Sequence, residues 1–248
     1  MPSILYLIDG HALAYRTYYA ITAGMSDRMQ SRSGEPTAGI FGFANVLLRL
    51  LEQEKPEFLA VAFDTGKTFR NDLYPAYKAT RAKMPEDLRP QIERIRQMVD
   101  AFHLPRLEKE GVEADDILGS IARQAVEKGL GVTIITGDRD LLQLVDDRIN
   151  VSLPGAKLSE SKIYAATDVK EYLGVEPRQV VDYKALVGDA SDNIPGVAGI
   201  GPKTAVSLLE TYGTLDEVYQ HLPEIKGKTF EKLQNGKDSK SGSLSQSF

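Results

Sequence analysis

The sequence predicts an α/β protein built on a mostly parallel central sheet flanked by helices, with a helical region after it. Three observations lead there. Short apolar runs occur without polar alternation, segments between them carry helical periodicity, and from about residue 167 the pattern is helical throughout. The first run, Ile4-Leu5-Tyr6-Leu7-Ile8, ends at Asp9, and the second, Phe58 to Phe63, ends at Asp64. The third, Val132 to Thr136, is followed by Gly137 and Asp138. Such runs suit strands covered on both faces. Ile40 to Glu54 places Phe43, Val46, Leu47, Leu50 and Leu51 on one helical stripe, and Pro90 to Phe102 does the same with Ile92, Ile95, Val99 and Phe102. Ile117, Ile121 and Ala125 continue the pattern up to Gly129, a helix stop signal. Later helices are expected at Val169–Leu173, Gln179–Val187, Thr204–Tyr212 and Leu215–Leu222, with Gly-rich joints. The expected organisation is an α/β core over 1–166, a helical region over 167–230, and a disordered Lys-, Ser- and Gly-rich tail over 231–248.

Composition narrows the function classes. The chain has 248 residues, 30 Lys and Arg against 35 Asp and Glu, and a net charge of −5. With no cysteine and only 3 histidines, disulfide frameworks, thiolate sites and histidine-built zinc sites are excluded or improbable. No apolar run spans a bilayer, and the first residues lack an export leader, so a location inside the cell is expected. At first sight the negative balance argues against a polyanionic partner.

Where the acids stand changes that reading. In an open parallel sheet, ligands bind outside the carboxyl ends of the strands, so Asp9, Asp64 and Asp138 are expected to face one crevice. Further acids come in clusters: Glu113, Asp115 and Asp116 at a helix start, Asp138 with Asp140, and Asp189 with Asp192 between two helices. Taken singly, these clusters suit helix capping and turn chemistry. Taken together, nine carboxylates would repel one another without a counter-charge. A set of oxygen donors without His or Cys suits a hard cation, Mg²⁺ or Mn²⁺. Two such ions about 4 Å apart are the usual device for phosphodiester hydrolysis. Setting those nine aside leaves 26 acids against 30 bases, a basic balance outside the site.

Between Lys67 and Arg96 the local charge is positive, with Lys67, Arg70, Lys78, Arg81, Lys83, Arg89, Arg94 and Arg96 outnumbering Asp72, Glu86, Asp87 and Glu93. Tyr74 and Tyr77 are interleaved, the composition of a surface that meets phosphates and stacks bases, although a solvated face would look similar. In Gly196 to Ala205, Gly199 and Gly201 permit a tight turn, Pro202 suits a first helical position, and the helix start at Lys203 and Thr204 offers backbone N–H groups to an anion. Gly66-Lys67-Thr68 imitates the end of a phosphate-binding loop, but the first glycine of that motif would fall at Val61 inside a strand. His11 is read as structural.

Five motifs now stand in order: Asp9-Gly10-His11-Ala12-Leu13-Ala14-Tyr15-Arg16, Tyr77-Lys78-Ala79-Thr80-Arg81, Glu113-Ala114-Asp115-Asp116, Gly137-Asp138-Arg139-Asp140, and Gly188 to Gly196. Over about residues 3–230 the chain closely resembles the 5′ nuclease domains of bacterial DNA polymerase I, within the flap endonuclease family. The resemblance implies Mg²⁺- or Mn²⁺-dependent hydrolysis of DNA at 5′ ends and 5′ flap junctions with two metal ions. It implies Asp9, Asp64, Glu113, Asp115 and Asp116 as ligands nearest the first ion, and Asp138, Asp140, Asp189 and Asp192 as those of the second. Lys78 and Arg81 resemble arch residues, in a region near 67–96, that steer the scissile phosphate. Arg16, Arg70 and Tyr77 resemble residues that contact phosphate or stack on bases. The turn at 196–202, with Gly199, Gly201, Lys203 and Thr204, resembles a helix–three-turn–helix element that grips duplex DNA and can hold K⁺ through main-chain carbonyls. The same resemblance implies a monomer acting in the bacterial cytoplasm at the nucleoid, replication and repair as its setting, and a polymerase module absent from this chain. Two other readings stay open: a non-catalytic, structure-specific DNA-binding protein, and a metal-dependent ribonuclease with a similar acidic crevice.

Overall fold

A computed structural model describes residues 3–23, 29–154 and 160–239, the last three of these by backbone alone. The chain forms two compact units. One comprises Met1–Lys67 and Lys83–Ala165, the other Thr68–Ala82 and Ala166–Phe248.

The first unit is a six-stranded sheet with helices packed on it. Its elements are β1 (Ile4–Asp9), α1 (Gly10–Thr22), α2 (Ala38–Gln53), β2 (Phe58–Ala62), and then, after a segment belonging to the other unit that includes α3 (Phe69–Leu73), α4 (Arg89–Ala101), β3 (Arg106–Leu107), α5 (Ala114–Glu127), β4 (Gly131–Ile135), β5 (Ile149–Pro154) and β6 (Ser161–Tyr164). The strand order is β3-β2-β1-β4-β5-β6, parallel except for the antiparallel edge strand β6. Chain winding reverses between β1 and β4, the switch point at which sheets of this kind leave a crevice beyond the strand ends. In register, Ile8 of β1 lies between Val61 of β2 and Ile135 of β4, which sets Asp9 at the mouth of that crevice.

Burial explains why the strands read as unbroken apolar runs. Leu7, Ile8, Val61 and Ile134 are fully buried, as the central strands of a two-sided sheet must be. From α2, Phe43, Leu47 and Leu50 enter the core, with Val46 and Leu51 partly buried beside them. The stripe on α5 differs from expectation: Leu118, Ala122 and Ala125 are buried, whereas Ile117 and Ile121 are half-buried. β5 and β6 carry no continuous apolar run. In β5 the apolar Ile149, Val151 and Leu153 alternate in polarity with Asn150 and the buried Ser152, a pattern of period two.

The second unit holds α6 (Ala166–Leu173), α7 (Val180–Val187), a short antiparallel pair β7 (Gly188–Asp189) and β8 (Ile194–Pro195), α8 (Pro202–Tyr212), α9 (Leu215–Gln220) and α10 (Lys228–Ser239). Gly188 and Gly196 must both be glycine. A Cβ on Gly188 would lie 2.4 Å from the Gly196 nitrogen, and one on Gly196 would lie 2.3 Å from the Gly188 nitrogen. The helix α10 runs through the first part of the stretch expected to be a tail, and Leu233 anchors it fully buried. Residues 240–248, the rest of that stretch, lie outside the described residues. Among the described residues no helix is long and apolar enough to cross a membrane.

Candidate metal centre and nucleic-acid interface

In the sheet unit the acids begin with Asp9. It ends β1 and caps α1, its Oδ1 accepting the Ala12 N–H at 2.9 Å. Gly10 follows because α1 presses against Phe63: a Cβ there would sit 2.4 Å from that ring. Oδ2 of Asp9 accepts the Thr136 hydroxyl at 2.9 Å, and Thr136 Oγ1 in turn accepts the Asp138 N–H at 2.9 Å. Asp138 Oδ1 accepts the Asp140 N–H at 2.9 Å. Asp9, Thr136, Asp138 and Asp140 are thus strung on one hydrogen-bonded path.

Asp64 lies just past β2. Its Oδ1 takes the Ala114 N–H at the start of α5 at 2.7 Å, where the helix dipole favours a carboxylate. Its own N–H donates to His11 Nδ1 at 3.1 Å, and its carbonyl accepts from Arg96 at 3.0 Å. His11 is thereby a positioning group: burial holds its imidazole below the ordinary value, and the ring accepts with Nδ1 as a neutral base. Glu113 and Asp116 form a reciprocal capping box on α5, with Asp115 in the same turn. Capping, the plainer sequence reading for this cluster, is therefore real, and it orients the acids toward the helix N-terminus.

These groups fit a hard divalent cation. Burial, and then the charges of Asp64 and Asp138, push Asp9 up to about 7, against the lowering pull of its Ala12 and Thr136 donors. Asp9 is 5% exposed and its hydrogen-bond donors are neutral. An oxygen-only donor set around a buried carboxylate met by neutral donors is what Mg²⁺ or Mn²⁺ would complete.

In the helical unit the acids meet cations of the chain itself. Asp189 Oδ2 pairs with Lys184 Nζ at 2.7 Å, and Oδ1 takes both the N–H and the hydroxyl of Ser191 at 2.8 and 2.6 Å. Burial raises the Asp189 carboxyl, but Lys184 and Ser191 outweigh it and hold it down at about 2. Asp192, buried, accepts from the Arg81 guanidinium, whose Nε also donates to the Ser191 carbonyl at 3.2 Å. Lys78 has its N–H on the Asp192 carbonyl at 2.9 Å, and its ammonium lies 4.8 Å from the Tyr77 ring centre. Tyr77 is only 5% exposed, so its ring is not an open stacking surface in this structure, as the sequence reading had it. Arg70 lies over the Phe69 ring, and Arg16 is half-buried on α1. The Gly199 carbonyl accepts Lys232 Nζ at 2.8 Å, while Gly201 caps α8 with Pro202, exposed Lys203 and half-buried Thr204 following. A cavity of about 490 Å³ lies in this unit beside Tyr74, Asp189, Asn193 and Pro195.

Sequence reasoning missed Lys184 and Thr136, and placed Arg96 in the basic stretch without its bond to Asp64. Lys184 left one signal, a base in the last turn of α7 just before an acid motif. The bonds of Thr136 and Arg96 left no local trace, since their partners are distant in the chain.

Residues 4–174 match the family model for the 5′–3′ exonuclease N-terminal resolvase-like domain, and residues 175–245 match that for the 5′–3′ exonuclease C-terminal SAM fold. The chain belongs to the 5′–3′ exonuclease family. Among this family's curated members, DNA polymerase I of Caldicellulosiruptor bescii is 47% identical over 237 residues, covering 94% of this chain and 27% of that protein. DNA polymerase I of Chloroflexus aurantiacus is 48% identical over 223 residues, covering 88% and 23%. The chain therefore spans about a quarter of the length of the relatives it matches. Among solved structures, the T5 5′-exonuclease with bound divalent zinc ions superposes with a TM-score of 0.76 at 25% identity, covering 96% of this chain and 85% of that one. The flap endonuclease-1 of Methanococcus jannaschii shares the fold at a TM-score of 0.56 and 17% identity, covering 94% and 77%.

Proposed function

We propose that this 5′–3′ exonuclease family member hydrolyses DNA phosphodiesters at 5′ ends and 5′ flap junctions, leaving 5′-phosphate and 3′-hydroxyl ends. The observation that carries the reading is Asp9: a buried carboxylate at the switch point of a parallel sheet, met by neutral donors and pressed by the charges of Asp64 and Asp138. The sheet unit offers Asp9, Asp64, Glu113, Asp115, Asp116, Asp138 and Asp140 as metal ligands. Asp189 and Asp192 of the helical unit keep their place in the proposal through their sequence motif. Two Mg²⁺ or Mn²⁺ ions held by these carboxylates would supply an activated water and neutralise charge on the leaving oxygen.

The chain's own residues do the rest. His11, Arg96 and the α5 N-terminus hold Asp64, and Thr136 holds Asp9 toward Asp138. Lys78 and Arg81 would meet the non-bridging oxygens of the scissile phosphate, where cations stabilise the charge that develops. Arg81 would exchange Asp192 for the phosphate as it does so. The N-terminus of α8, with Lys203 and Thr204, would bind the duplex backbone. A K⁺ at that turn would draw on main-chain carbonyls besides that of Gly199, which already accepts from Lys232. We take the active form to be a monomer working on DNA in the bacterial cytoplasm. Similarity to the T5 5′-exonuclease, solved with divalent zinc, and to the polymerase I relatives supports the reading.

The test is a 5′-labelled flap duplex incubated with the protein in Mg²⁺, in EDTA, and with Asp138→Asn. Cleavage near the junction should require Mg²⁺ and vanish with the variant. Binding without cleavage would replace the reading with a structure-specific DNA-binding protein. Preferential cutting of a labelled RNA hairpin in parallel would replace it with a ribonuclease.

A further inference from the structure

Asn193 adopts a left-handed backbone, φ 58°, a conformation that asparagine tolerates better than most residues. From there it reaches a segment more than a hundred residues earlier in the same unit. Its side-chain amide donates to the Ala76 carbonyl at 2.8 Å, and its carbonyl accepts the Tyr74 hydroxyl at 3.1 Å. One residue before it, the Asp192 carbonyl accepts the Lys78 N–H at 2.9 Å. Lys78 is itself left-handed, φ 55°. Left-handed non-glycine residues such as Asn193 and Lys78 are kept where surrounding contacts over-determine them, and such strain collects at functional sites.

We propose that Asn193 is a positioning residue for the cleavage reaction, resting on the function proposed above. Its amide and carbonyl clasp residues 74–76, and with the Asp192 carbonyl they set the backbone frame from which the Lys78 and Arg81 side chains leave. Asn193 touches no reacting atom. It orients the two cations that would, and it does so from the loop that carries Asp189 and Asp192. A frame held at three points over five residues fixes a lysine that would otherwise lose its direction by rotation about its own φ and ψ. Misplacement by about 1 Å is enough to cost on the order of a hundredfold in rate.

Asn193→Gly is the decisive variant, because glycine permits the left-handed backbone while it removes the side-chain amide. Asn193→Asp sets a carboxylate oxygen against the Ala76 carbonyl and should act in the same direction. Tyr74→Phe removes one hydroxyl and should act more weakly. Single-turnover cleavage of a 5′-flap duplex at saturating enzyme, in Mg²⁺, reads the effect, alongside flap affinity by fluorescence anisotropy in EDTA. Asn193→Gly should cleave roughly ten- to a hundredfold more slowly, with affinity within about twofold of the wild type. A merely structural role would weaken binding and rate together. Cleavage by Asn193→Gly at the wild-type rate, or a loss confined to affinity, would overturn the proposal. If the wild type does not cleave, the nuclease reading falls on its own, and amide hydrogen exchange at residues 74–81 decides the clasp: faster exchange in Asn193→Gly supports it, and unchanged exchange overturns it.

Discussion

Two buried acids, Asp9 of the sheet unit and Asp189 of the helical unit, are held in opposite ways. In the sheet unit, Asp9 is buried among neutral donors and neighbouring carboxylates, and its carboxyl is pushed up to about 7. In the helical unit, Asp189 is about as deeply buried, yet Lys184 and Ser191 hold it down at about 2, and Asp192 rests on Arg81. Burial alone therefore does not decide the state of a carboxylate; the charge of its partner does. Asp9 meets neutral donors and leaves its charge to be completed by something else. Asp189 and Asp192 already meet cations of the chain, and any ligand that claims those carboxylates must first displace Lys184 or Arg81.

The largest effect should come from the acid without a cation partner. Asp9→Asn removes a buried carboxylate proposed as a ligand and should lower the Mg²⁺-dependent cleavage rate by about a thousandfold, read as initial rates on a flap duplex. Retention of most of the activity would break the contrast, since Asp9 would then be a capping residue alone.

Lys184→Met should instead be felt as stability. It leaves Asp189 buried without its cation and should cost about 3 kcal/mol at pH 7, measured by urea unfolding. Near pH 2 the penalty should shrink, because Asp189 is then protonated. A variant as stable as the wild type at pH 7 would show that Ser191 alone suffices for Asp189.

The two acids should also give opposite pH slopes. A raised folded pKa means that the contribution of Asp9 to stability is complete below the unfolded value near 4 and is lost as pH rises through about 7. In EDTA, the melting temperature should therefore carry a loss between about pH 4 and 7 that Asp9→Asn lacks and that Mg²⁺ removes. The lowered pKa of Asp189 works the other way: its contribution is complete above about 4 and is lost as pH falls toward 2. Differential scanning calorimetry of the wild type and both single variants across pH 2–8 separates the slopes.

The smallest effect concerns the helical unit's other proposed task. Lys203→Ala at the start of α8 should weaken duplex binding a few-fold and reduce the log–log salt slope by about 1, checked by anisotropy titrations at several salt concentrations. An unchanged slope would move the duplex contact away from this helix.

Much of this arrangement was legible before the structure. Asp9, Asp64 and Asp138 announce themselves because parallel strands buried on both faces read as unbroken apolar runs, and the residue after such a run stands at the ligand-binding end of the sheet. The helix starts at Glu113 and Pro202 follow from local capping chemistry, which acts within a few residues. Strands β3, β5 and β6 were not legible in the same way. β3 has two residues, and β5 and β6 take their strand form from their place at the far side of the sheet rather than from a continuous run. The helical course of α10 beyond Leu233 was hidden for a similar reason, since its polar residues show no periodicity.

By itself the sequence determined which acids stand where along the chain, that they use oxygen donors alone, and which segment carries the bases. Tertiary structure decided what each acid meets. Arg81 reaches Asp192 across 111 residues, Thr136 reaches Asp9 across 127, and Asn193 reaches Ala76 across 117. The physical reason is range. Capping and strand patterning act over a few neighbouring residues and leave a local trace, whereas a carboxylate's protonation and readiness for a metal depend on burial and on charges that only folding brings near.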